Sequence, residues 1–165
     1  MSRLGGTTID LNPNNPIAHM KLGAIHKSLG NLDQALASTL KALELDPDNT
    51  NAIANLGSIY NDLGNLEQAL RCTLRCLEIS PNNPNIYINL SVIHKGLGNY
   101  DEALLANLKS IELDPTNHDA YLNLATIYKD RGEINQALKT SLKSVKLNPA
   151  NPNAHMNLGI IYQDL

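Results

Sequence analysis

Cys72 and Cys76 and the five histidines, His19, His26, His94, His118 and His155, are the side chains whose chemistry extends to metal binding or nucleophilic attack. The cysteines stand four positions apart, which puts both on one side of a helix. There they complete neither a disulfide framework nor a four-ligand zinc set. No neighbouring sequence feature lowers the Cys72 pKa, so both thiols read as reduced packing residues. The histidines fall into a repeat register rather than a ligand spacing. No Gly-rich phosphate loop, catalytic serine motif or carboxylate pair stands out, so no catalysis, metal or cofactor is expected.

Two polar series are periodic instead. Asn55, Asn89, Asn123 and Asn157 recur every 34 residues, with Lys21 in the place before them. An asparagine side chain has an acceptor oxygen and two N–H donors, so it can pair with both a C=O and an N–H of an extended peptide, or with neighbouring helices. Lys41, Arg75, Lys109 and Lys143 form a second column, but Glu44, Glu78 and Glu112 lie three residues beyond the first three. Opposite charges at that helical spacing describe a solvated face rather than a phosphate site.

The elements that must position these residues are set by two further ladders. Pro13, Pro47, Pro81, Pro115 and Pro149 share the 34-residue interval with Gly30, Gly64, Gly98 and Gly132, the signature of a repeat array. Aligning on them gives units at 16–49, 50–83, 84–117 and 118–151, preceded by the end of a partial unit at 9–15 and followed by a first helix at 152–165. Residues 1–8, with Gly5 and Gly6 where the full units have helix, read as a leader or an expression remnant.

Each unit reads as two helices. In 50–83 one apolar stripe runs Ile53, Leu56, Ile59, Tyr60, Leu63 and a second Leu66, Ala69, Leu70, Leu74, Leu77. The glycines suit the left-handed conformation that ends the first helix. Asn31, Asn65 and Asn99, with Gln34, Gln68 and Glu102 three residues on, predict capping boxes for the second. Asn15-Pro16, Asn83-Pro84 and Asn151-Pro152 predict a cap followed by a proline in the first turn.

The pattern resembles the tetratricopeptide repeat family, through Ile53, Leu56, Gly57, Tyr60, Ala69, Thr73, Cys76 and Pro81 in the second unit and Tyr121, Leu124, Ala125, Tyr128, Ala137, Ser141, Ser144 and Pro149 in the fourth. It departs where His19, Ile53, Tyr87, Tyr121 and His155 fill the family's first aromatic position and the smaller Thr39, Thr73, Asn107 and Ser141 fill its second. His26 and His94 replace its inner tyrosine. The resemblance implies an all-α, right-handed α-solenoid of antiparallel helix pairs, whose first helices line a concave surface. There the asparagines would form a row like the groove asparagines of the O-GlcNAc transferase repeats, which hold peptide main chain. Lys27, Lys95 and Lys129, with Asp62 and Asp130, would give the rim mixed charge. Few basic residues occupy the groove positions, which argues against the clamp that family members use for acidic chaperone tails.

The composition agrees with a folded, non-catalytic module. Hydrophobic residues make up 42%, enough for a core, yet six tyrosines with neither Phe nor Trp leave Leu, Ile, Ala and Tyr to fill it. A formal charge of -3 and a pI near 5.9 disfavour nucleic acid and anionic membranes as partners. No run approaches the roughly 20 apolar residues that span a bilayer, and the start lacks a secretory segment, so a cytoplasmic setting is expected. The expected function is a protein- and peptide-binding scaffold. Two alternatives are a substrate-docking segment of a larger glycosyltransferase or sulfotransferase-like enzyme, and a module that self-associates head to tail through open ends.

Overall fold

The computed structural model describes residues 13–165, so the leader expected at 1–8 and most of the repeat end expected at 9–15 lie outside the described residues. Among the described residues there are nine α-helices and no strand: α1 (Pro16–Ser28), α2 (Leu32–Leu45), α3 (Thr50–Asp62), α4 (Leu66–Ile79), α5 (Pro84–Gly96), α6 (Tyr100–Leu113), α7 (His118–Asp130), α8 (Ile134–Leu147) and α9 (Pro152–Gln163). This is the all-α helical repeat expected from the sequence.

Local chemistry sets the helix starts. Asn15 Oδ1 accepts from Ile17 N at 3.0 Å and Ala18 N at 3.2 Å, and Asn49, Asn83, Asn117 and Asn151 cap α3, α5, α7 and α9 likewise. Pro16, Pro84 and Pro152 follow their caps in the first turn, where a missing N–H costs nothing.

The turn inside each pair is equally local. Gly30 sits at φ 76, its N–H bonds Lys27 O at 2.9 Å, and Asn31 N–H bonds His26 O at 2.9 Å. This double bond closes the helix end with a left-handed residue, and Gly64, Gly98 and Gly132 repeat it. The expected capping boxes are corrected here. Asn65 Oδ1 accepts from Gln68 N at 3.3 Å, but Asn31 and Asn99 make no side-chain cap. A box needs the asparagine's own N–H free for the return bond, and at all three positions that N–H is committed to the preceding helix, at His26, Tyr60 and His94.

The helices group into two compact units, one ending at Ile79 and one spanning Ser80–Leu165. In the first, α1 packs on α2 and α3 on α4, with α2 against α3 and α1 touching α3. In the second, α5 packs on α6 and α7 on α8; α6 also meets α7, α8 meets α9, and α7 touches both α5 and α9.

The first helices bury the large aliphatics Ile53, Leu56, Ile59, Ile93, Leu124, Ile127 and Ile161. The second helices bury small residues at i, i+4 and i+7: Ala35, Thr39, Ala42; Ala69, Thr73, Cys76; Ala103, Asn107, Ser110; Ala137, Ser141, Ser144. This corrects the expected second stripe. Leu74 is 44% exposed, and Leu40, Leu108 and Leu142 match it, because each follows the buried small residue by one position, about 100° around the helix. Small side chains at the contact let the helices approach closely; Thr39 Oγ1, Ser110 Oγ, Ser141 Oγ and Asn107 Oδ1 are buried there without a partner among the described residues, whereas other buried polar groups bond backbone. Thr73 Oγ1 donates to Ala69 O at 2.9 Å, Ser91 Oγ to Ala103 O at 2.8 Å, Asn107 Nδ2 to Ala120 O at 2.7 Å and Ser144 Oγ to His118 O at 2.8 Å.

Candidate functional site

The four asparagines occupy one register on the first helices: Asn55 on α3, Asn89 on α5, Asn123 on α7 and Asn157 on α9. Within the second unit, Asn89, Asn123 and Asn157 therefore stand on three successively touching helices. Asn55 and Asn123 are half-buried and Asn89 is exposed, and none of the three side-chain amides hydrogen-bonds another described residue. Asn157 is 7% exposed, and its Oδ1 is buried without a partner. A helix-interior asparagine pairs poorly with its own backbone, so these amides keep donor and acceptor capacity for something else.

The charged residues expected at the rim pair with one another. Lys27 Nζ of α1 lies 3.1 Å from Asp62 Oδ2 of α3, and Lys95 Nζ of α5 lies 3.2 Å from Asp130 Oδ2 of α7. Each pair ties one first helix to the next. Lys129 has Asp130 Oδ1 at 3.9 Å, a carboxylate already shared with Lys95.

The histidines and thiols have structural surroundings. His19 Nε2 donates to Pro13 O at 2.8 Å, His155 Nε2 to Pro149 O at 2.8 Å, and the Tyr87 hydroxyl to Pro81 O at 3.0 Å. A polar tip at this position thus binds the proline carbonyl six residues back, which explains why histidine serves where the family has an aromatic. His118 sits between the amides of Asn148 and Asn151. Burial pushes the Cys72 pKa up, with Cys76 adding to the rise and Arg75 opposing it; burial also raises Cys76, whose Sγ lies 3.8 Å from Thr50 O. Thiols held protonated are poor nucleophiles. Among the described residues, no group of three or more His, Cys, Asp or Glu is placed to hold a metal ion, and no helix is long and apolar enough to cross a membrane.

The basic column is partly neutralised. Lys41 pairs with Glu44 at 2.8 Å and Lys109 with Glu112 at 2.7 Å, whereas Arg75 reaches back to Asp48 at 2.9 Å and Pro47 O at 2.7 Å instead of to Glu78. Lys143 differs: its Nζ stands 5.8 Å from the centre of the Tyr121 ring. That contact crosses from α8 to α7 and is not legible in helical spacing, although the missing glutamate at position 146 marks the repeat as different.

Comparison with known proteins agrees with this architecture. Family models described as "Tetratricopeptide repeat" match residues 16–49, 48–116 and 106–139, and one described as "TPR repeat" matches 125–165. No curated protein matches the chain. Among solved structures, a thermophilic TPR protein of Thermus thermophilus is 19% identical with a TM-score of 0.87, covering 97% of this chain and 88% of that one. Pseudomonas aeruginosa pilF is 24% identical with a TM-score of 0.80, covering 90% and 68%. YrrB, a TPR protein with an unusual peptide-binding site, is 22% identical with a TM-score of 0.71, covering 98% and 84%. At these identities the structures speak for the fold, and the family models tile nearly the whole chain with a single repeat type. The chain belongs to the tetratricopeptide repeat family.

Proposed function

We propose that this chain is a non-catalytic protein- and peptide-binding module, in which Asn89 and Asn123 of the second unit, and Asn55 of the first, hold peptide main chain, with Asn157 buried in the same register. The observation that carries the reading is that the side chains of Asn55, Asn89 and Asn123, which share one register on the first helices, make no hydrogen bond to another described residue. Packed helix axes lie about 8–10 Å apart, and an extended chain advances about 3.3 Å per residue. Within the second unit, Asn89 and Asn123 would therefore meet peptide residues about three apart. Each amide can satisfy one C=O and one N–H, which gives affinity without reading side chains.

The ion pairs Lys27–Asp62 and Lys95–Asp130 fix the spacing of the first helices at the rim, while Lys129, with only a distant share of Asp130, offers charge to a peptide carboxylate. YrrB, a structural neighbour with a peptide-binding site, lends support by fold.

The test is a peptide-library titration of the wild type beside an Asn55→Ala, Asn89→Ala, Asn123→Ala variant, with far-UV circular dichroism on both. Alanine favours helix over asparagine, so the fold is retained. At about 1 kcal/mol per lost amide the affinity falls roughly a hundredfold. Equal binding by both proteins removes the asparagines from the mechanism.

A further inference from the structure

The second unit holds an open cleft of about 640 Å³ between α7 and α8, whose apolar floor is Tyr121, Tyr128 and Leu142 and whose edge carries Lys139, Lys143 and Lys146. We propose that this cleft is a second docking site, for an acidic peptide segment that seats one apolar side chain between flanking carboxylates. It is separate from the asparagine row: Asn123 follows Tyr121 by two residues, about 200° around α7.

Three observations support this reading. First, the charge is unopposed. Where the other repeats have Glu44, Glu78 and Glu112, this one has Lys146. No carboxylate lines the cleft, and among the described residues none lies within ion-pairing distance of Lys139, Lys143 or Lys146. In α2 and α6 the equivalent lysines are each bound to a glutamate.

Second, the floor is accessible. Leu142 is 45% exposed, and Leu108, its counterpart one pair earlier in the same unit, is 43% exposed although another pair follows it. The open leucine column is therefore a property of the repeat, and only here is it joined to two tyrosines and three uncompensated lysines. In the repeat before, His94 and Glu112 stand at the places of Tyr128 and Lys146.

Third, the dimensions fit a peptide better than a nucleic acid. Lys139 to Lys146 spans seven residues of helix, about 10 Å, enough for two or three carboxylates of an extended segment. Nucleic-acid binders instead neutralise a long run of phosphates, and this chain has a formal charge of -3. An apolar side chain over Tyr121 and Leu142 removes water from both, while the Lys143 ammonium already lies against the Tyr121 ring.

The test uses the full chain and an N-acetylated, C-amidated pentapeptide of four glutamates around a central leucine, followed by shifts of backbone amide and methyl NMR signals. The acidic peptide is expected to shift α7 and α8, Leu142 above all, and the analogue with glutamine for glutamate to bind at least about tenfold more weakly. Lys146→Glu restores the Lys–Glu arrangement of the other repeats without touching the core, and is expected to weaken the acidic peptide by about tenfold, as two exposed charge interactions reverse. Lys139→Gln with Lys143→Gln gives a similar loss, and the three-asparagine alanine variant binds as the wild type does, which separates this site from the proposed peptide row. Four results each overturn the proposal: equal binding of the glutamine peptide, unchanged binding by Lys146→Glu, no shift at millimolar peptide, or tighter binding of a short oligothymidylate. Concentration-dependent self-association that Lys146→Glu abolishes reassigns the cleft to a second copy of the chain.

Discussion

Gly23→Ala tests whether close approach of the paired helices, rather than backbone propensity, governs these repeats. A Cβ at Gly23 would lie 2.2 Å from Thr39 Oγ1, 3.2 Å from Ala35 O and 3.3 Å from Thr39 N. The hydroxyl contact is the severe one, because a β-branched Thr39 in a helix has little freedom to turn away where a serine has more; the two backbone contacts need α1 and α2 to give by only a few tenths of an ångström. Replacing an interior helical glycine with alanine gains about 1 kcal/mol, and overpacking a tight contact costs about 1–3 kcal/mol. The expected net result is a loss of about 1 kcal/mol, near 3 °C in Tm for a chain of this size.

The fourth repeat supplies the compensating change, because there Ala125 takes the place of Gly23 and Ser141 that of Thr39, both fully buried. Thr39→Ser alone removes one buried methyl, at a cost of about 1 kcal/mol. If the two sites were independent, the double variant would lose about 2 kcal/mol; with the overlap relieved it should lose less than about 1 kcal/mol, a favourable coupling of at least 1 kcal/mol. Urea unfolding of the four proteins by far-UV circular dichroism measures the cycle. A Gly23→Ala variant that is stabilised, or a cycle that sums to zero, would refute the close-approach argument.

Gly64→Ala isolates backbone strain, since φ is 75 and nothing lies within 4 Å of the added Cβ. A loss of about 1–2 kcal/mol is expected, with Gly64→Asn intermediate because asparagine tolerates the left-handed region; thermal melts check the order Gly above Asn above Ala. Lys95→Met breaks the pair with Asp130, whose partners are 32% and 29% exposed in their side chains. After solvent screening the loss should not exceed about 1 kcal/mol and should shrink in high salt, which melts at two ionic strengths will show.

Much of the fold was legible because its determinants are local. A 34-residue register of proline, glycine and asparagine fixes where each helix starts and turns, through bonds spanning at most a few residues, such as Asn15 Oδ1 to Ala18 N or Asn31 N to His26 O. Even within the turns, competition decided against what the pattern predicted: the asparagine N–H went to the preceding helix, so no complete capping box formed at Asn31, Asn65 or Asn99.

Tertiary packing decided what periodicity cannot rank. Leu74 and Thr73 are neighbours in sequence, and hydrophobicity favours burying the leucine; the helix contact is too close for it, so Thr73 goes inside and Leu74 faces solvent. For the candidate site, the sequence placed Asn55, Asn89, Asn123 and Asn157 in one register on the first helices. Whether their amides were already used, which rim lysines were bound by Asp62 and Asp130, and that Lys143 lies over Tyr121 depended on distances between helices far apart in the chain. The sequence by itself determined the repeat, its helices and the register of its polar rows, because those follow from bonds within a turn or two. The structure decided which side chains are buried, paired or left available, because those follow from how closely the helices pack.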